Sequence, residues 1–176
     1  MKKLFLIIPL ILILSFMVGC TCNTDCNELN AQAELEKMNL ELVSQVWTDW
    51  NNRNLDLITN IENPGEYAYY SPVGTSKPQS HEEVIGMIKA LWAGFSDVTI
   101  NPIEMMASGD KVITSYILKG THDGEHYGVP ATGNKIETGV INIVRIKDGF
   151  IVEEWENFDA INFMGALGFE LQLKAE

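Results

Sequence analysis

The chain has 176 residues, of which 46% are hydrophobic, and it carries 24 acidic against 12 basic side chains, a formal charge of −12. This length suits one domain built around a single core. Such an acidic surface repels phosphate backbones, so the composition argues against a nucleic-acid partner.

Residues 1–19 have the pattern of a lipoprotein-type signal peptide. Two lysines precede an apolar stretch, residues 4–18, that is shorter than the about 20 apolar residues a membrane-spanning helix needs. The end of this stretch together with the following glycine, Met17-Val18-Gly19, resembles a bacterial lipobox and is followed by Cys20. The sequence therefore predicts export and anchoring to the cell membrane through acyl chains on Cys20 alone. An uncleaved signal anchor and an ordinary secreted protein are the alternatives.

Residues 20–30 are predicted to hold the lipidated cysteine and a flexible tether, because small and polar residues are abundant there. The only other cysteines are Cys22 and Cys26, so the domain predicted over residues 31–176 contains no disulfide. Whether these two cysteines form a disulfide stays open. With no histidine nearby, we expect no metal site.

Three helices are predicted at the start of the domain. Apolar residues spaced three or four apart predict the first helix; they are Leu35, Met38, Leu42, Val46 and Trp50. A short helix is predicted near Leu55 to Ile61, before the helix-breaking Asn63-Pro64-Gly65. The third has the clearest start signal, a capping box of Ser80 and Glu83.

After the third helix the apolar period changes from 3.6 to 2, which predicts a meander of strands. The four strands are expected near residues 97–107, 111–123, 135–146 and 150–157. The Lys147-Asp148-Gly149 segment is typical of a type I turn closed by a glycine bulge. Helices followed by an antiparallel sheet indicate an α+β fold, with a ligand pocket between the two layers.

The last predicted hairpin indicates which side chains share a face. If its loop has three residues, Val140 lies opposite Glu156 and Asn142 lies opposite Glu154. The predicted inner face comprises Val140, Asn142, Val144, Val152, Glu154 and Glu156. The predicted outer face comprises Ile141, Ile143, Arg145, Ile151, Glu153 and Trp155.

An amide and two carboxylates are thus expected to converge on one side of the sheet. Neighbouring carboxylates in a partly apolar pocket raise the pKa of one of them, as a general acid/base near neutral pH requires. Alternatively, Glu153, Glu154 and Glu156 form a solvated acidic strand end.

Four segments resemble the SnoaL-like polyketide (ester) cyclase family. They are residues 120–125, 128–133, 145–155, and Asp159 with Leu167-Gly168. The resemblance implies a nuclear-transport-factor-2-like (NTF2-like) cone, in which three N-terminal helices cover a curved, mainly antiparallel sheet. It also implies an intramolecular aldol closure without metal or organic cofactor, promoted by an acid/base carboxyl group on the last strand.

The resemblance further implies site residues. The acid/base aspartate of the family falls at Glu156, a pocket histidine at Asn142, and the histidine of the Gly-x-His-x-Gly segment at His122. Glu154, Tyr70 and Trp92 are predicted ligand contacts. Several aromatic residues either line a pocket for a flat ligand or belong to the core; they are Tyr67, Tyr69, Tyr70, Trp47, Trp50 and Trp92.

These expectations describe a tethered domain that binds a small, apolar carbonyl compound and performs acid/base chemistry of the aldol-cyclase or isomerase type. Glu156 would be the acid/base, while Asn142 and His122 would hold the carbonyl or enolate oxygen. The alternative is a non-catalytic binding or scaffold lipoprotein. Its apolar outer sheet face would suit a homodimer; that face comprises Ile141, Ile143, Ile151 and Trp155.

Overall fold

The computed structural model describes residues 22–56, 58, 63, 65–170 and 172. The predicted signal peptide, Cys20 and most of the helix predicted near Leu55 to Ile61 lie outside the described residues. Within the described part of the chain, no helix combines the length and the hydrophobicity that crossing a membrane requires.

The described residues form three helices and five strands around one sheet. In chain order they are α1 (Cys22–Asn51), β1 (Ala68–Tyr70), α2 (His81–Gly94), β2 (Thr99–Ser108), β3 (Lys111–Thr121), β4 (Lys135–Lys147), β5 (Phe150–Phe158) and α3 (Ala160–Ala166). The strand order across the sheet is β1-β5-β4-β3-β2, and only the β1–β5 pair is parallel. The α+β class and the four long strands are confirmed.

The predicted arrangement of helices is wrong in one respect. Among the helices whose bounds the structure describes, only α1 precedes the first strand, whereas α2 lies between β1 and β2 and α3 follows β5. The three-residue β1 and the seven-residue α3 were not predicted, because both are too short to show a hydrophobic period. The predicted capping box at the start of α2 is confirmed, since Ser80 and Glu83 each accept the other's backbone N–H.

Helix α1 is longer at its N-terminal end than the sequence suggests. It begins at Cys22, so residues 22–30 are helical and do not form the predicted flexible tether. Leu35 and Met38, predicted to face the core, are 47% and 64% exposed. The buried stripe starts only at Asn39 and continues through Val43, Val46, Trp47 and Trp50. The first half of α1 therefore extends past the sheet.

Two polar clamps fix the second half of α1 on the sheet. The Asn51 side chain donates to the carbonyl oxygen of Ile100 and accepts from its N–H, both at 2.8 Å. At the β2–β3 turn, the Asn39 amide donates to the carbonyl oxygen of Gly109 at 3.1 Å, and Glu36 accepts from the N–H of the same glycine at 2.8 Å. Because β2 is an edge strand, the Asn51 clamp also covers backbone groups that would otherwise be unpaired.

The β4–β5 hairpin differs from its predicted turn. Lys147 pairs with Phe150, so only two residues form the loop, and both have positive φ: Asp148 at 53° and Gly149 at 81°. Positive φ at both central residues is the signature of a type I′ turn, whose twist matches that of the strands. The predicted type I turn with a glycine bulge is therefore wrong.

The bulge lies instead inside β5, at Val152. Ile146 pairs with Ile151, but Arg145 pairs with Glu153, so one extra residue stands between the two pairs. Beyond the bulge, Asn142 pairs with Glu156 and Val144 with Glu154, two residues away from the predicted register.

A slip of two residues leaves the faces unchanged, so the predicted inward direction of the amide and the two carboxylates holds. The exception is Ile151, which the prediction placed on the outer face. It is only 2% exposed and belongs to the core, because the bulge reverses the alternation at that point.

Gly124 provides a test of how α2 meets the loop after β3. Its N–H donates to the carbonyl oxygen of Gly94 at 3.0 Å, and a Cβ atom at this position would lie 2.0 Å from the carbonyl oxygen of Ala93. We expect Gly124→Ala to lower the free energy of unfolding by at least about 2 kcal/mol, because backbone must move. Urea denaturation measures the change.

The matched control is Gly86, an exposed residue inside α2 whose added Cβ would meet nothing within 4 Å. Gly86→Ala should raise the free energy of unfolding by up to about 1 kcal/mol, because alanine favours the helix. Equal effects of the two substitutions would contradict the described packing.

Candidate functional site

A cavity of about 660 Å³ lies between the helices and the inner face of the sheet. Its walls are mainly apolar and come from α1, α2, α3 and all five strands. The polar residues on its surface include Tyr69, Gln79, Tyr116, His126, Glu154 and Glu156. Volumes of this size commonly hold small-molecule ligands, and a few convergent polar groups usually set their orientation.

Two glutamates from β5 share the cavity side of the sheet. Glu154 and Glu156 are two residues apart on a strand, so their side chains point to the same face. Both line the cavity and both are half-buried, so their remaining exposure is toward the cavity. We call this the carboxylate pair.

Tyrosine hydroxyls from two strands donate to Glu156. Tyr69 on β1 donates to Oε1 and Tyr116 on β3 donates to Oε2, each at 2.8 Å. Burial, and next the negative charge of Glu156, raise the pKa of both phenols. The two tyrosines therefore stay protonated and act as donors throughout the physiological pH range.

Glu154 has donors of its own. Tyr67 donates to its Oε2 at 2.5 Å, and the Asn142 amide donates to its Oε1 at 2.6 Å. The same amide group is 3.3 Å from Glu156 Oε2. Asn142 is completely buried and is not among the cavity-lining residues, so it holds the two carboxylates from beneath.

One member of the carboxylate pair, Glu154, has a raised pKa. Burial, reinforced by the charge of Glu156, raises the pKa of Glu154 to about 7, while hydrogen bonds from Tyr67 and Asn142 oppose the shift. Glu154 therefore carries a proton in a large fraction of molecules near neutral pH. One group that can release a proton and one that can accept a proton thus face the cavity side by side.

Two predicted ligand contacts lie elsewhere. Tyr70 points to the outer face and stacks on Trp155, with ring centroids 5.9 Å apart, because alternation along β1 turns Tyr69 inward instead. Trp92 is not among the cavity-lining residues; its ring lies edge-on to Trp50 at 5.5 Å. Tyr69 thus occupies the place that the prediction gave to Tyr70.

His122 is also absent from the cavity lining. It is completely buried, stacks on Phe95 with centroids 5.0 Å apart, and its Nδ1 accepts from the N–H of Thr132 at 3.3 Å. The structure therefore brings Glu154, Glu156 and Asn142 together but leaves His122 in the packed core.

Sequence reasoning did not identify several polar residues of the cavity, among them Tyr116 and His126. The inward alternation of Val112, Tyr116 and Leu118 along β3 was a signal that could have identified Tyr116. His126 lies in the loop between β3 and β4, where no period assigns a face.

The fold agrees with comparisons to known proteins. A family model described as SnoaL-like polyketide cyclase matches residues 40–167. A search of curated proteins finds no match.

Solved structures with the same fold include IdmH, a candidate polyketide cyclase from Streptomyces antibioticus. It is 27% identical with a TM-score of 0.65, and the match covers 74% of this chain and 99% of IdmH. AclR, a candidate hydroxylase from Streptomyces galilaeus, is 24% identical with a TM-score of 0.68 over 78% of this chain and 97% of AclR.

A candidate SnoaL-like polyketide cyclase from Jannaschia sp. CCS1 is 20% identical, with a TM-score of 0.68 over 77% of this chain and 95% of its own. The last two likenesses show the shared NTF2-like fold alone.

The family match spans well over half of the sequence. The chain belongs to the SnoaL-like polyketide cyclase family.

Proposed function

We propose that the cavity binds a small, largely apolar molecule with a carbonyl group, and that the carboxylate pair exchanges protons with it. The observation that carries this proposal is the raised pKa of Glu154 beside Glu156 in a cavity with mainly apolar walls. Such a pair supplies an acid and a base at neutral pH.

The proposed step is the removal of a proton from the carbon next to the carbonyl group. Glu156, as the ionised member, takes up this proton, and the electron pair of the C–H bond moves onto the carbonyl oxygen. Protonated Glu154 donates to the resulting enolate oxygen, which stabilises its negative charge. Return of the proton to the far carbon of a conjugated double bond gives isomerisation. Attack of the enolate carbon on a second carbonyl group, with Glu156 returning its proton to the new alkoxide, gives aldol closure.

Two roles predicted from the sequence change in this proposal. Asn142 positions the carboxylates through its amide and does not contact the ligand oxygen. The role predicted for His122 has no support from its place in the core. The donors near the enolate oxygen are instead Glu154 and the hydroxyls of Tyr69 and Tyr116, all of which line the cavity.

Relatives on the same fold carry different described activities. IdmH is a candidate cyclase, which supports the aldol type of reaction, whereas AclR is a candidate hydroxylase. Because function depends on the site and not on the fold, the acid/base reading rests on the carboxylate pair.

The alternative is a non-catalytic binding or scaffold protein that uses the same cavity. A homodimer through the outer sheet face belongs to this alternative: Ile141 is 48% exposed there, although Ile151 faces inward. A strictly monomeric species in light scattering at high protein concentration would exclude the homodimer.

Deuterium exchange tests the proposed chemistry without knowledge of the natural ligand. With 2-tetralone as the probe, we expect the protein to accelerate exchange of the hydrogens next to the carbonyl group in heavy water, followed by NMR. Glu156→Gln should reduce this acceleration at least about a hundredfold, because the base is lost.

The matched control is Glu153→Gln, on the same strand but facing outward, where Glu153 pairs with Arg145 at 2.5 Å. It should keep the wild-type exchange rate. No acceleration by the wild type, or equal rates in both variants, would contradict the acid/base proposal.

The pH dependence of stability tests the raised pKa of Glu154. Its pKa is about 7 in the folded protein and 4.5 without burial, so the folded state holds more protons between these values. The free energy of unfolding should therefore fall as the pH rises from about 4.5 to 7, by up to about 3 kcal/mol, and then level off.

Urea denaturation of Glu154→Gln, compared with the wild type at each pH, isolates this contribution. The difference between the two proteins should change across the window, whereas Glu153→Gln should follow the wild-type curve. An unchanged curve for Glu154→Gln would show that Glu154 is ionised throughout.

We further propose that the protein is exported and anchored to the cell membrane through acylated Cys20. The lipobox-like Met17-Val18-Gly19 before this cysteine supports the proposal. Metabolic labelling with an alkyne fatty acid should mark the wild type, and Cys20→Ser should abolish the label. Labelling that persists in Cys20→Ser, or is absent from the wild type, would exclude this anchor.

A further inference from the structure

One titratable residue of the cavity has no part in the proposed chemistry. His126 lines the cavity and is buried among aromatic rings: Phe95 lies 5.5 Å away between centroids, Tyr127 4.7 Å and Phe163 5.8 Å. Gly94 on α2 makes room for it, since a Cβ atom there would lie 2.7 Å from the Cβ of His126. The imidazole is thus held in a fixed place.

The hydrogen bonding of His126 defines its tautomer. Nδ1 lies 3.2 Å from the carbonyl oxygen of Ala90, which can only accept, so Nδ1 carries a hydrogen. Burial lowers the pKa of His126, so the ring is neutral at pH 7. In a neutral imidazole with the hydrogen on Nδ1, Nε2 presents a lone pair.

This lone pair has no donor from the protein. Among the residues that the structure describes, His126 makes its side-chain hydrogen bond through Nδ1, and none donates to Nε2. Nor is Nε2 among the fully enclosed polar atoms without a partner, so it remains accessible. A buried acceptor that faces a ligand cavity favours ligands that carry a hydrogen-bond donor.

His126 and the carboxylate pair lie at different parts of the cavity. The path from Glu156 leads two residues along β5 to Phe158 and then to Phe163, whose ring centroid lies 5.8 Å from those of both Phe158 and His126. Phe158 and Phe163 therefore connect the strand that carries the carboxylate pair to His126 through a row of aromatic contacts. A ligand that contacts both polar groups extends along these aromatic side chains, which favours a flat molecule.

We propose that Nε2 of His126 accepts a hydrogen bond from a hydroxyl group of the ligand. The inference rests on the proposed function and narrows its substrate class: a flat, largely apolar molecule with a carbonyl group at the carboxylate pair and a hydroxyl group at the far end. His126 then fixes which way round the molecule lies, and so which carbon faces Glu156.

Two fluorescent probes that differ in a single donor test the inference. Equilenin has a naphthol hydroxyl at one end and a ketone at the other, and its 3-methyl ether keeps the ketone but cannot donate. Fluorescence titration should show that the wild type binds equilenin roughly fivefold more tightly than the ether, the size of one net hydrogen bond. In His126→Phe, the two affinities should become equal.

A second measurement avoids the substitution altogether. In the wild type with ¹⁵N-labelled histidine, the Nε2 resonance of His126 should move toward the value of a hydrogen-bonded ring nitrogen when equilenin is added. The methyl ether should leave this resonance in place. This comparison decides the matter even if His126→Phe does not fold.

The possible outcomes separate the two proposals. If both probes bind equally to the wild type, or if equilenin keeps its advantage in His126→Phe, the role of His126 is overturned while the apolar carbonyl ligand class stands. If the advantage is lost in Glu154→Gln instead, the hydroxyl group binds the carboxylate pair and the inferred orientation is wrong. If neither probe binds, both proposals fail.

Discussion

The site depends on one constraint: two carboxylates on the same strand face a mainly apolar cavity, and each needs hydrogen-bond donors there. Burying an ionised carboxylate without partners is strongly unfavourable. Four side chains meet this need. They are Tyr67, Tyr69, Tyr116 and Asn142.

The order of the strands in the sheet brings these donors next to the two carboxylates. The short parallel strand β1 pairs with β5 and brings Tyr69 beside Glu154, with Tyr67 one position before the strand. On the other side of β5, β4 supplies Asn142 directly opposite Glu156, and β3 supplies Tyr116 from one strand further. The donors therefore come from both sides of the strand that carries the carboxylates, and no helix contributes any of them.

The parts of this arrangement that depend on local patterns could be predicted from the sequence. The Ser80 capping box and the strand alternation are local, so the start of α2, the four long strands and the inward direction of both glutamates followed directly. A two-residue error in register did not change the faces, because side chains alternate with a period of two.

The parts that depend on distant contacts could not be predicted. The direction of Tyr69 and Tyr70 is set by the pairing of β1 with β5, which lies more than 80 residues further along the chain. The reversed face of Ile151 follows from a bulge that no turn residue marks. His126 lies in an irregular loop, where no alternation of side chains indicates which residues face inward. Its place in the cavity is fixed by contacts with α2 and α3.

The tyrosines on Glu156 also determine how the site responds to an arriving molecule. A phenol has one hydrogen to donate, and those of Tyr69 and Tyr116 are directed at Glu156. A carbonyl oxygen that attracts either hydrogen would uncover a lone pair on the carboxylate at that moment. A ligand that binds these hydroxyls would therefore leave Glu156 with fewer hydrogen-bond donors than the two phenols give it.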